Sequence, residues 1–229
     1  MPDLHSLPDL LPLPPLAMLI VCSGVLIAYI IFGIAGFGTA LVAGPVLANW
    51  LPLSTIVPLL ALLDFAAACV NVARDRQAAD RSELGRLVPA MLAGSAVGAA
   101  ILLLGRPAPL QGTLGLFALA YGVYAAIGWR PPATFSSRAA LPFGLVGGVC
   151  SALFGSGGFV YAIYLGGRIA SPERQRVTQS TLIGLSTLTR LTLFLLAGVY
   201  ADRQLLLLAL CLAPAMLIGT TIGRRITLS

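Results

Sequence analysis

Residues 89–101 read PAMLAGSAVGAAI and residues 214–226 read PAMLIGTTIGRRI. Pro89, Gly94 and Gly98 answer to Pro214, Gly219 and Gly223. The correspondence extends backward through the chain. Gly36 aligns with Gly155 and Pro52 with Pro172 at offsets of 119 and 120, against 125 for the closing prolines, a drift that small loop insertions explain. A duplication inside so apolar a chain points to a membrane protein built from two related halves, the construction of many secondary transporters.

The composition supports this. Of 229 residues, 58% are hydrophobic and 10% charged, with a mean hydropathy of +0.95. Soluble domains carry about 25% charged residues, so most of this surface does not face water. The length allows eight or nine spans of about 20 residues and no separate soluble domain. The net charge of +6 comes wholly from Arg, since the chain has no Lys. Such charge belongs in loops facing the cytoplasmic leaflet, and nucleic acid is not an expected partner. Cys22, Cys69, Cys150 and Cys211 lie in apolar stretches without metal-type spacing and read as small hydrophobes. The only His is His5, so neither a metal nor another cofactor is expected. The tail MPDLHSLPDLLPLPP has no positive charge and is not a cleaved signal peptide.

Continuous apolar runs without alternation predict an all-α polytopic membrane protein, with segments near 16–32, 39–51, 55–73, 84–104, 110–128, 141–154, 158–169, 178–199 and 204–225. Two junctions carry no charge, Gly33-Ile-Ala-Gly-Phe-Gly38 and Phe154-Gly-Ser-Gly-Gly-Phe159. Read as hairpin tips, they place eleven Arg on one side of the membrane (74, 76, 81, 86, 130, 138, 168, 174, 176, 224, 225) and two (106, 203) on the other. Read as kinks, they leave seven against six. Only hairpins give a positive-inside bias, which puts the N-terminus outside and the C-terminus in the cytoplasm. The two halves are then repeat 1 (16–104) and repeat 2 (141–225). One linker helix (110–128) joins them and turns the second half over. The segments 39–51 and 158–169 are short for a full crossing, so tilted spans and re-entrant half-helices both remain open.

Three features carry candidate chemistry. The tips Gly36-Phe37-Gly38 and Gly155-Ser156-Gly157-Gly158 open short helices, whose N-termini offer amides and a positive dipole end to an anion. Tight turning and close packing are the alternative reading of these glycines. Asp64 and Arg190 lie inside apolar segments, where a charge costs about 2.5–3.5 kcal/mol on insertion scales and usually pairs or lines a pathway. Arg190 can fork onto a sulfonate, sulfite or carboxylate. Asp64 can neutralise it or take part in coupling, and a buried pair that merely locks two helices is the rival. Gln179, Ser186 and Arg190 share one helix face, and Asn71 shares another with Asp64. Gly94-x-x-x-Gly98 and Gly219-x-x-x-Gly223 are packing faces.

These residues resemble the sulfite exporter TauE/SafE family, also called the 4-toluenesulfonate uptake permease family. A Gly-rich turn (Gly33 to Gly38) follows the first helix, with Pro45 soon after. The second half repeats it as Phe154 to Phe159, and each half closes on a Pro-x-x-x-x-Gly-x-x-x-Gly helix. Tyr164 stands where the second copy's proline would be, and Val57-Pro58-Leu59 where the first copy's small polar pair would be, which survives in the second half as Thr178-Gln179-Ser180. The resemblance implies transport of small sulfur-containing or organic anions across the bacterial inner membrane.

Together these readings lead to a non-enzymatic permease working by alternating access. Arg190 attracts the anion. The tip amides with Gln179, Ser180 and Ser186 orient it, and Asp64 and Asn71 serve coupling or gating, with a proton or cation as coupling partner. A passive channel or a membrane scaffold subunit are the alternatives.

Overall fold

The computed structural model describes residues 13–35, 38–71, 79–127 and 135–228. Among them are nine α-helices and no strand: α1 (Pro15–Ala35), α2 (Thr39–Leu47), α3 (Leu53–Asn71), α4 (Arg81–Leu104), α5 (Pro107–Ile127), α6 (Ala140–Phe154), α7 (Gly158–Gly166), α8 (Pro172–Leu196) and α9 (Arg203–Leu228). Four stretches are long and apolar enough to cross a membrane, namely Pro15–Ile34, Arg81–Leu104, Ser137–Phe154 and Arg203–Gly223. The chain is an all-α, multi-pass membrane protein.

Local chemistry sets the helix boundaries. Asp80 caps α4 by accepting from the Ser82 and Glu83 amides at 3.0 and 3.2 Å. Asp202 does the same for α9, accepting from the Gln204 amide at 2.8 Å. Ser171 caps α8, with Pro172 in the first turn, where a missing N–H costs nothing. The cap puts the start of α8 six residues before the apolar run at 178, because its first two turns are charged.

At both glycine junctions the chain folds back on itself. Across the first, a methyl group built on Gly24 of α1 would lie 3.0 Å from Val46 of α2. Across the second, one built on Gly147 of α6 would strike the Tyr161 ring of α7. Gly155 ends α6 at φ 67°, and Gly38 precedes α2 at φ 97°, backbone conformations that side chains resist. The returning helices α2 and α7 have nine residues each. At a rise of 1.5 Å per residue that is about 14 Å, half of a ~30 Å hydrocarbon core. They are half-helices.

The two most extensive interfaces pair α4 with α6 and α9 with α1. The helix bearing each Pro-x-x-x-x-Gly-x-x-x-Gly run therefore packs on a helix that leads into a glycine junction. Both seams are glycine seams. A methyl on Gly94 or Gly98 would strike the carbonyls of Leu145 and Val149, and one on Gly219 or Gly223 those of Leu26 and Ile30. Leu26 and Leu145, like Ile30 and Val149, stand 119 positions apart, the offset that aligns Gly36 with Gly155. Close backbone approach through small residues replaces the hydrophobic drive that lipid cannot supply.

Candidate functional site

The two hairpins and the long helices α3 and α8 converge on a buried polar cavity of about 20 Å³. Gly38 and Thr39 line it from the first hairpin, and Gly155, Gly157 and Gly158 from the second. Asp64 comes from α3, Ser186 and Arg190 from α8. The volume is room for about one water molecule, so an anion needs the walls to part.

Asp64 and Arg190 meet here. Both are buried, at 5% and 2% exposure, and Arg190 Nη2 donates to Asp64 Oδ2 at 3.4 Å. The contact is long, since charge-assisted N–H···O bonds usually run about 2.7–2.9 Å. The carboxylate is held more closely by neutral groups. The Tyr29 hydroxyl donates to Oδ1 at 2.8 Å, and the Thr39 hydroxyl lies 2.9 Å from Oδ1 and 3.2 Å from Oδ2. Arg190 Nη2 also donates to the Thr187 hydroxyl at 3.3 Å. Its Nε and Nη1 are buried and find no partner among the described residues, and neither does the buried Ser156 hydroxyl. A guanidinium with two N–H-bearing nitrogens unspent is costly to bury unless something else satisfies it. Nη1 lies where a methyl on Gly155 would come within 3.1 Å, so a side chain at the tip would crowd the guanidinium as well as strain the turn.

The N-terminal residues of α2 and α7 line the cavity together with Arg190, and each helix carries the positive end of its dipole there. Ser151 and Ser186 hydroxyls bridge α6 and α8 at 2.6 Å on the same surface.

The other residues singled out in the sequence divide. Gln179 stands off the cavity and donates from Nε2 to the Gly158 carbonyl at 3.4 Å, holding the start of α7. Ser180 is exposed and is not brought to the cavity, because neighbours on a helix point about 100° apart. Gly36 and Phe37 lie outside the described residues, as does the side chain of Asn71. Tyr29, Thr39, Ser151, Tyr161 and Thr187 border the site or bond into it without having been singled out. The signal for Thr39 was available, as a hydroxyl at the first position after a glycine tip.

A second polar cluster lies toward the N-terminal ends of α4 and α8, away from the cavity. Glu83, 4% exposed, accepts from Arg168 Nε and Nη2 at 3.1 and 2.8 Å, from Arg86 at 2.6 Å and from the Tyr164 hydroxyl at 2.7 Å. Beside it Arg174 pairs with Asp80 at 3.2 Å, and the Asp80 amide donates to the Thr178 hydroxyl at 2.9 Å. These contacts tie the start of α4 to the end of α7 and the start of α8.

A family model described as sulfite exporter TauE/SafE matches residues 20–229. The chain belongs to this family. Its members are membrane transporters of the sulfite and sulfonate type. No curated protein and no solved structure matches the chain.

Proposed function

We propose that this TauE/SafE member is a secondary transporter that binds a small anion against Arg190 and passes it across the bacterial inner membrane by alternating access. The anion is a sulfite, a sulfonate or another small organosulfur or carboxylate species. The observation that carries the reading is the unspent guanidinium. Arg190 keeps Nε and Nη1 buried without a partner among the described residues, and it lines a cavity that two helix N-termini also line. Sulfite, sulfonate and carboxylate oxygens all accept charge-assisted hydrogen bonds from guanidinium N–H groups. A lock between helices would use these donors on protein acceptors.

The architecture supports alternating access. The first half supplies Asp64, Tyr29 and Thr39, and the second supplies Arg190, Ser186 and Thr187, so the site lies between the halves. The exchanged glycine seams favour two inverted repeats, 16–104 and 141–225, about the linker helix α5. The Arg distribution favours an outside N-terminus and a cytoplasmic C-terminus.

The test is counter-flow in liposomes with purified protein and a panel of sulfite, thiosulfate, taurine, sulfoacetate and small carboxylates. Saturable counter-flow for at least one anion, lost in Arg190→Ala protein that remains folded, is the expected result. Equal counter-flow in wild type and variant would remove Arg190 from the site.

A further inference from the structure

We infer that Asp64 takes up a proton with each anion that binds Arg190, making the protein an anion–proton symporter. The inference rests on the transporter reading above, and it follows from how charge is arranged in the cavity. Among the described lining residues Asp64 is the one carboxylate and Arg190 the one cation, so the pair is neutral by itself. An anion that engages Arg190 leaves the buried site with an extra negative charge. In a low-dielectric interior that excess is unfavourable, and a proton on Asp64 removes it.

The bonding around Asp64 suits the exchange. The 3.4 Å contact to Arg190 is its loosest, whereas Tyr29 and Thr39 hold the carboxyl at 2.8 and 2.9 Å. Arg190 can therefore turn to an anion while Asp64 keeps its place. Once protonated, Asp64 has an O–H that needs an acceptor. The Thr39 hydroxyl lies 3.2 Å from Oδ2 and can accept as well as donate. Both protonation states are satisfied without moving the backbone.

The titratable and charged groups facing Asp64 are Tyr29 from α1 and Arg190 from α8, while α2 brings only Thr39. Tyr161 of α7 lines the same cavity but is not bonded to the carboxyl. From α4, α5, α6 and α9 no charged partner reaches it among the described residues. No electron moves. The proton leaves water on the side the anion enters, forms an O–H bond on Asp64, and returns to water on the other side when the anion departs.

The experiment uses wild-type protein in liposomes with methanesulfonate as probe, an anion too weakly basic to carry a proton itself, and thiosulfate in parallel. With the interior more alkaline than the medium, labelled anion is expected to accumulate above its outside concentration. An internal pH dye is expected to record one proton entering for each methanesulfonate. Asp64→Asn is expected to abolish the uphill accumulation. Downhill anion flux without proton movement in the wild type would overturn the symport while leaving the transporter reading intact. Absence of saturable flux for both probes and for the whole panel would overturn the reading on which it rests, and the symport with it. The wild-type measurement decides the matter even if the variant fails to fold.

Discussion

Arg190 and Asp64 depend on each other unequally. Asp64 has two hydroxyl donors in reserve, and among the described residues Arg190 has Thr187 besides the carboxylate. Removing one member of a buried pair typically costs about 3–5 kcal/mol, because the other charge is stranded. Asp64→Ala, which strands the charge with fewer partners, should therefore lower the melting temperature of detergent-solubilised protein most, and Arg190→Ala should lower it less. The double variant Arg190→Ala/Asp64→Asn should recover most of the Arg190→Ala loss, since it strands no charge. A double variant as unstable as Arg190→Ala alone would mean that packing of the Arg190 side chain, not its charge, holds α8. At this scale the sequence announced the two charges, since each interrupts an apolar run. It did not announce Tyr29 or Ser151, whose hydroxyls look ordinary until α1 and α6 are placed beside their partners. Ser180, suggested by the small polar pair of the family resemblance, is instead exposed on α8 and does not line the cavity.

Among elements, the glycine seams and the α4 cap make separable contributions. A methyl on Gly94 would run into the Leu145 carbonyl, whereas one on Gly115 of α5 would meet open space. Gly94→Ala forces the α4–α6 pair apart, an overpacking loss of about 1–3 kcal/mol. Gly115→Ala should be neutral or stabilise by up to about 1 kcal/mol, because alanine favours helix. Thermal melting of the two variants side by side checks this. At the start of α4, the Ser82 hydroxyl holds the Asp80 carboxyl below the usual carboxylate range, helped by the Glu83 and Ser82 amides and by Arg174. A depressed folded value gives stability that is present above the unfolded value of about 4 and lost as pH falls through the folded one. Melting temperature should therefore drop on acidification below about pH 4 in wild type and less so in Asp80→Asn. Parallel acid-side slopes would remove the cap from that role. Helix positions were legible because lipid demands long apolar runs, and duplication fixed their correspondence. The start of α8 was hidden because Glu173, Arg174 and Arg176 occupy its first turns, where a hydropathy reading sees loop.

For the whole molecule, the two ends of the site are closed by unequal means. Arg174 lies twelve residues before Ser186 on α8, about 18 Å along the helix axis, so the Glu83 cluster sits at one end, well beyond the cavity. That end is tied by Glu83 with Arg168, Arg86 and Tyr164, and by Asp80 with Arg174. Under the repeat alignment the counterpart of Arg168 is Asn49, whose side chain bonds the Pro45 and Val46 carbonyls, and the counterpart of Tyr164 is Pro45 itself. Near Pro58, among the described residues, the Tyr200 hydroxyl donates to its carbonyl at 3.0 Å. Under alternating access, the charged end must release its ion pairs to open, while the other end parts from a neutral hydrogen bond. On the orientation proposed above from the Arg distribution, the charged end faces the cytoplasm. Glu83→Gln keeps the side chain's shape and removes the charge that draws Arg168 and Arg86 together. It should therefore favour the conformation open to the cytoplasm. With the native cysteines replaced and Ser186→Cys introduced on the cavity wall, a membrane-impermeant thiol reagent should label Glu83→Gln protein faster from the cytoplasmic side of inverted vesicles, and no faster from the outside. Unchanged labelling from both sides would make the cluster a structural staple. Faster labelling from the outside alone would reverse the orientation drawn from the Arg distribution and leave the latch itself in place.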